Sequence, residues 1–309
     1  MRGFNLVPYN TKIDFVGIRY IVYFFSILVI LGSFGSLMVK GLTLGIDFKG
    51  GYLIEIRTPE KLDLATLRTD LQKLDLGEVK LQEFGSDKDL LIRLERQKGN
   101  ETAQTEALDK IKSALPKNAD YRRIETVGAK VSQSLIENGI FAILFALIGM
   151  LLYIWVRFEW TFGLCGILAL VHDIIAVMGF YAISGFEFND TAFISILTTV
   201  GYSINDSVVI YDRIRENLRK YKVMPLAEII NLSTNETLSR TILTVGTTVM
   251  SLLALCLFGG QVIRSFCIPI LIGIIFGAFS SIFISANLLL FFKIRRNDKK
   301  NDEILIPQN

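Results

Sequence analysis

The chain has 309 residues, 51% of them hydrophobic and 20% charged, with a mean hydropathy of +0.45. Its charges avoid several stretches long enough to cross a bilayer, which excludes an ordinary soluble domain and predicts a polytopic α-helical membrane protein whose solvent is lipid. The net charge of +3 comes largely from segments flanking those stretches, so nothing points to nucleic acid as a partner.

Residues 1–19 form a basic N-terminal segment with Arg2, Lys12 and Arg19. The first span, 20–40, has an apolar core longer than that of a signal peptide and no small-residue cleavage site after it, so it reads as an uncleaved anchor. Residues 41–135 come next as an insert with sixteen Lys and Arg against sixteen Asp and Glu. Tyr52 to Arg57 alternates as a strand, and Leu64, Leu67, Leu71 and Leu74 make a helical stripe. Val79 to Phe84 and Leu90 to Leu94 are strands around the turn signal Gly85-Ser86-Asp87. A second helix from Glu101 to Leu115 puts Ala107, Leu108 and Ile111 inward and stops at Pro116, before a last strand from Asp120 to Thr126. The order βαββαβ predicts a small α+β, ferredoxin-like domain. It holds no histidine, cysteine or phosphate-binding loop, which favours binding or mechanical work over enzymatic chemistry.

Five more spans, 136–156, 162–184, 188–210, 241–258 and 266–292, bring the total to six transmembrane helices in a membrane domain 136–292. The sixth carries Gly273, Gly277 and Ser281 at four-residue spacing, and the second carries Ala142, Ala146 and Gly149, both signals for close helix approach. Pro269 either kinks the sixth helix or marks its first turn. The connection 212–239 splits into a charged continuation of the fourth span and, after Pro225, an amphipathic helix. Leu226, Ile229, Ile230 and Ser233 on that helix predict that it lies on the membrane surface. The tail 293–309 is basic, with Lys293, Arg295, Arg296, Lys299 and Lys300. Lys and Arg gather at the N-terminus, at Arg157, at Arg213, Arg215, Arg219, Lys220 and Lys222, and in the tail, all on one side. That side is expected to be cytoplasmic, with both termini on it and the α+β domain external.

Two ionisable side chains stand out at membrane depth: Asp206 in the fourth span and Arg240 at the head of the fifth. A charge there costs at least ~2.5 kcal/mol on insertion scales, so such residues ordinarily face a partner or a hydrated path. Ser195, Thr199, Tyr202 and Asp206 share one helical face, and Arg240, Thr244, Thr247 and Ser251 repeat the spacing on the next helix, which predicts two facing polar stripes. An Asp so placed can bind and release a proton as its partner moves, whereas an Arg can only shift position. The competing reading is a buried ion pair that fixes helix register. His172 and Asp173 are a second polar pair, but neighbours on a helix point about 100° apart, so both are not expected to face one partner. Cys165, Cys256 and Cys267 lie in spans away from His172, the only histidine, and read as reduced packing residues with no metal site.

Four runs of residues are recognisable together. They are Gly45-Ile46-Asp47-Phe48-Lys49-Gly50-Gly51 after the first span, Val171-His172-Asp173 in the third, Gly201 to Arg213 in the fourth and Thr237-Leu238-Ser239-Arg240-Thr241 in the fifth. With them the chain resembles the SecD/SecF family of the bacterial protein-export machinery, relatives of the resistance-nodulation-division transporters. The resemblance implies an inner-membrane protein that works with a SecD partner, with YajC and beside the SecYEG channel. Its external domain, opened by Asp47, Gly50 and Gly51, would contact the exported polypeptide. The resemblance also implies that Asp206 and Arg240 take part in proton movement, with no cofactor beyond the coupling proton. Asn205, Asp173, His172, Tyr202 and Thr244 are read from the residues themselves as candidate support for that relay. Some family members are fused SecDF chains, whereas this chain holds only one half, so the matching carboxylate is expected on another polypeptide.

Two other readings remain. One is a half-transporter for small molecules or lipids, against which the small external insert argues; the other is an assembly factor with no energetic role. Intramembrane aspartyl proteolysis needs two converging carboxylates, and Asp206 and Asp212, six residues apart, lie on different helical faces.

Overall fold

The computed structural model describes residues 11–292, apart from 62, 75, 78, 85, 98–100 and 117. Arg2, Gly85 of the turn signal and the basic tail 293–309 lie outside the described residues. Among the described residues six helices are long and apolar enough to cross a membrane. They are α1 (Arg19–Lys40), α5 (Ala129–Arg157), α6 (Trp160–Ser184), α7 (Asp190–Lys220), α8 (Leu226–Phe258) and α9 (Gln261–Phe279), the last continued by a π-helical turn, Ser280–Ser285, and by α10 (Ala286–Leu288). The short α2 (Ile46–Lys49) leads into the insert, where β1 (Gly51–Arg57), α3 (Leu64–Gln72), β2 (Val79–Phe84), β3 (Ser86–Glu95), α4 (Glu101–Ala114) and β4 (Asp120–Val127) succeed one another in that order.

The insert is the expected ferredoxin-like unit: an antiparallel sheet in the order β2-β3-β1-β4, with both helices on one face. Alternation explains the core. Tyr52, Ile54 and Ile56 of β1 and Leu90, Ile92 and Leu94 of β3 turn inward against Leu67 and Leu71 of α3 and Ala107 and Ile111 of α4. Asp63 starts α3 by accepting from the Ala65 amide at 3.0 Å and the Thr66 hydroxyl at 2.6 Å. These bonds hold the Asp63 carboxyl below its ordinary range.

The paired glycines explain how the domain joins the bundle. Gly50 and Gly51 have φ of 73° and 137°, and a Cβ on Gly51 would stand 2.0 Å from the Leu94 carbonyl oxygen, so the chain can enter β1 beside β3 only without side chains. One turn earlier, Phe48 of α2 plugs into the end of the bundle, packing on Phe188 and Phe193 at ring separations of 5.7 and 5.6 Å. The backbone of 43–45 bonds with Phe188: Gly45 N–H donates to Phe188 O at 2.9 Å, and Phe188 N–H to Thr43 O at 2.8 Å. Arg93 of β3 forms an ion pair with Glu187 across the same junction, and Lys49 pairs with Glu95.

Within the bundle α6, α7 and α9 are the buried members, while α1, α5 and α8 bury little of themselves. Gly273 and Gly277 do admit a neighbour, and it is α7: a Cβ on Gly273 would meet Thr199 Oγ1 at 1.9 Å, and one on Gly277 the Ser203 Cβ at 2.9 Å. The matching expectation for the second span is corrected. Gly149 faces open space, and Ala142 and Phe145 beside it on α5 are exposed, because among the described residues no helix covers that face. Pro269 lies inside α9, not in its first turn.

The segment after Pro225 also departs from expectation. It is no separate surface helix but the start of α8, which runs unbroken for 33 residues. Its apolar stripe finds a protein partner: Ile229, Ile230 and Leu238 share a core with Ile210, Tyr211 and Ile214 of α7. Asn217 Nδ2 donates to Ser233 Oγ at 3.0 Å and to Glu236 at 2.7 Å, and Arg213 Nε donates to Glu236 at 2.7 Å. The N-terminal segment docks on the other side, where the Ile13 and Val16 amides donate to Asn235 and Asn231, each at 2.9 Å.

Candidate functional site

Three helices build the site. The face of α7 turned to α9 is a ladder of small polar residues, Ser195, Thr199, Ser203 and Ser207, all buried, with Asp206 beside it at 7% exposure. Spacing predicted this face only in part. Tyr202 turns out of the ladder and is 46% exposed, while Ser203 and Ser207 take the inward positions. Counting in fours from Ser195 through Thr199 finds both.

Between α7, α8 and α9 lies a cavity of about 230 Å³, lined by Tyr202, Ser203, Asn205, Asp206, Thr244, Thr247 and Thr248 among others. It is polar on the α7 and α8 sides and closed by Ile274 and Ala278 of α9. A polar space of that size has room for several waters. It opens on the flank of the bundle, since Tyr202, Asn205, Thr244 and Thr247 are all exposed.

Asp206 and Arg240 do not form an ion pair, and among the described residues Asp206 has no hydrogen-bond partner. The Arg240 charge acts on Asp206 only at longer range. Arg240 is itself exposed and does not line the cavity. The two facing stripes are therefore not zipped together, and the reason is local. Thr244 Oγ1 donates to the Arg240 and Thr241 carbonyls at 3.1 and 3.0 Å, Thr247 Oγ1 to Leu243 O at 2.9 Å, and Ser251 Oγ to Thr247 O at 2.9 Å. Each hydroxyl is satisfied by its own helix and needs no partner across the gap.

His172 and Asp173, expected to face different ways, are joined: Nδ1 of His172 lies 3.1 Å from Oδ1 of Asp173, and both side chains are buried. The 100° separation of Cβ directions leaves side-chain rotation free to close the gap. Asp173 also accepts from Ser203 Oγ at 2.6 Å and Ser280 Oγ at 2.7 Å, so it belongs to the same polar seam as the cavity wall. The seam continues as Ser207 Oγ donates to Ser281 and Ser285, at 3.0 and 3.2 Å. Sequence reasoning missed Ser203, Ser207, Ser280 and Ser285 in this role.

Asp47 sits apart from this site, at the junction below the α+β domain. Burial and the Asp190 carboxylate push the Asp47 carboxyl above its ordinary range, and burial does the same to Glu187 against the pull of Arg93. Among the described residues no group of three or more His, Cys, Asp or Glu is placed to hold a metal. The three cysteines are free.

A family model described as "Protein export membrane protein SecD/SecF, C-terminal" matches residues 107–295, and one described as "SecD/SecF GG Motif" matches residues 35–58, which include Gly50 and Gly51. Protein translocase subunit SecF of Rickettsia conorii is 48% identical over 298 residues, 96% of this chain and 97% of that one. SecF of Rickettsia bellii is 48% identical over 299 residues. The crystal structure of SecDF, a translocon-associated membrane protein from Thermus thermophilus, superposes with a TM-score of 0.81 at 35% identity, covering 94% of this chain. The chain spans only 40% of that SecDF, consistent with one half of a longer architecture. With six apolar helices around a ferredoxin-like insert, both family models and relatives of nearly equal length, the chain belongs to the SecD/SecF family of protein export membrane proteins.

Proposed function

We propose that this chain couples proton movement across the bacterial inner membrane to the export of polypeptides, acting with a SecD partner beside the SecYEG channel and with YajC. One observation carries the reading: Asp206 is a buried carboxylate on the wall of a polar cavity with room for several waters, without an ion-pair partner among the described residues. A register-fixing ion pair would be closed, whereas this carboxylate can exchange a proton with the cavity. Arg240, exposed one helical turn before the cavity residue Thr244, would meet a carboxylate from a neighbouring chain; the chain's 40% share of SecDF supports this reading. Protonation of Asp206 changes its attraction to Arg240 and so biases the packing of α7 against α8. Both termini then lie in the cytoplasm, and the α+β domain on the outer side contacts the exported polypeptide. A proton crossing 100 mV supplies ~2.3 kcal/mol, enough for a few protons to bias a conformational equilibrium. No cofactor beyond the proton enters this scheme.

The test is translocation of a preprotein into membrane vesicles with and without a proton-motive force. Asp206→Asn and Arg240→Met are each expected to abolish proton-driven stimulation while the complex still assembles. Full stimulation in either variant refutes the reading.

A further inference from the structure

Asp173 lies in the middle of α6, 0% exposed, where α6, α7 and the π-helical turn meet. Its carboxylate is the hub of a network that the cavity chemistry above does not use. Oδ2 accepts from Ser203 of α7 and from Ser280 of the π turn, and Oδ1 faces His172 Nδ1. Three donors converging on two oxygens is the pattern an ionised carboxylate requires. His172 is the one titratable group acting on Asp173, from its own helix; among the described residues α7, α9 and the π turn bring no charged group to it. The other imidazole nitrogen, Nε2, is buried beside the Phe276 ring with no hydrogen-bond partner among the described residues. A proton on Nδ1, donated to Asp173, is the arrangement that leaves no buried N–H unsatisfied.

Two observations tie this hub to its surroundings. Ser203 is shared, because it lines the Asp206 cavity while its hydroxyl donates to Asp173. Ser280 opens the π turn, and the next residue, Ser281, donates to the Ser203 carbonyl at 2.9 Å. An extra residue in a helical turn rotates the two flanking stretches of helix against each other. Here it lets two consecutive serines reach two different helices.

We propose that Asp173 is a second proton-carrying carboxylate, loaded from the Asp206 cavity through the Ser203 hydroxyl, and that the π-helical turn Ser280–Ser285 responds to its charge. The inference rests on the proton reading of the cavity. In the loading step a hydronium ion in the cavity gives a proton to Ser203 Oγ as the Ser203 proton moves along its hydrogen bond to Asp173 Oδ2. The hydronium ends as water, the serine ends unchanged and the carboxylate ends neutral. Once neutral, Oδ2 donates to Ser203 Oγ where it had accepted, and it is left as a weaker, uncharged acceptor for Ser280. The Ser280 hydroxyl, which also reaches the Gly277 carbonyl at 3.1 Å, sits in the segment whose backbone already departs from α-helical register. Loading Asp173 therefore weakens the tie of the π turn to α6 at that point, and unloading restores it.

The test uses the full chain with its SecD-type partner in liposomes, read by infrared difference spectra of carboxylic-acid C=O bands after a pH drop. Proton-driven translocation is measured in parallel. Asp206→Asn and Asp173→Asn are expected to remove different bands. Ser203→Ala should keep the Asp206 band and form the Asp173 band more slowly by about tenfold, the low side for a positioned proton carrier because water can enter the vacated space. Ser207→Ala, which loses bonds of the same seam but none to Asp173, should load Asp173 at the parent rate. An unchanged spectrum in Asp173→Asn, or parent-rate loading in Ser203→Ala, overturns this inference even where Asp206→Asn abolishes stimulation. Full stimulation in Asp206→Asn overturns the underlying proton reading instead.

Discussion

Replacing Gly273 by alanine tests whether the close approach of α9 to α7 holds the polar seam together. The new Cβ would stand 1.9 Å from Thr199 Oγ1 and 2.8 Å from both Thr199 Cβ and Cγ2. Rotating the threonine relieves the hydroxyl but not its Cβ, which is fixed to the α7 backbone. Ordinary carbon contacts lie at about 3.5–4.0 Å, so the helices must part by about 1 Å. Overpacking of this kind costs roughly 1–3 kcal/mol, and stretching the Ser281 bond to the Ser203 carbonyl adds about 1 kcal/mol. The corresponding fall in unfolding midpoint is on the order of 5–10 °C. Buried Cys165 and Cys267 supply the assay, since a thiol-reactive fluorogenic dye reaches them only on unfolding. Gly149→Ala on α5 is the control: nothing lies within 4 Å of its new Cβ, so better helix propensity should leave the midpoint level or slightly raised. Thr199→Ala combined with Gly273→Ala removes two of the three clashing atoms and should recover part of the loss. Gly273→Ala melting with Gly149→Ala would refute the argument.

Two further expectations concern the seat of the α+β domain. The Arg93–Glu187 pair is half-buried, each side chain 21% exposed, and Lys49 and Lys80 also face Glu187. Arg93→Ala should therefore loosen the seat by only roughly 1 kcal/mol. Exchange of the Gly45 and Phe188 amides should then quicken by about fivefold; unchanged exchange refutes the coupling. Asp47 gives a pH dependence whose sign is fixed. Its carboxyl titrates above the ordinary range in the fold, so its contribution is fully present below the unfolded value, about 4, and is lost as pH rises through the folded one. Protection of those two amides, corrected for intrinsic exchange, should rise on acidification from neutrality. Asp47→Asn should flatten that rise without losing protection at neutral pH, and a loss there contradicts the assignment.

Much of this architecture is legible in the chain because it obeys local patterns. The βαββαβ order comes from strand alternation and leucine stripes, and the Gly273 and Gly277 contact from four-residue spacing. The features that were not legible depend on partners across space. The stripe of Ile229, Ile230 and Ser233 is equally suited to lipid headgroups and to α7, and only the fold chooses α7. Asp206 and Arg240 share a side of the membrane in the sequence, yet the α8 threonines that line the cavity, Thr244 and Thr247, bond to their own helix and leave the pair open. The π turn has no signature of its own. It exists because Ser280 and Ser281 find bonds on two helices, and no periodicity within α9 announces that.

The unbroken run of α7 and α8 past the site has a mechanical meaning. From Asp206 to Lys220 is about 21 Å at 1.5 Å per residue, and along that length the two helices are clamped by Arg213, Asn217, Ser233 and Glu236. If α7 and α8 pivot at the cavity, the hairpin moves as a stiff lever. A tilt of about 5° there carries the tip by about 2 Å, on the end of the bundle opposite the ferredoxin-like domain. Ile13 and Val16, hydrogen-bonded to Asn235 and Asn231, ride on that arm, so under the proposed protonation of Asp206 they would move with a helix they do not touch at that depth.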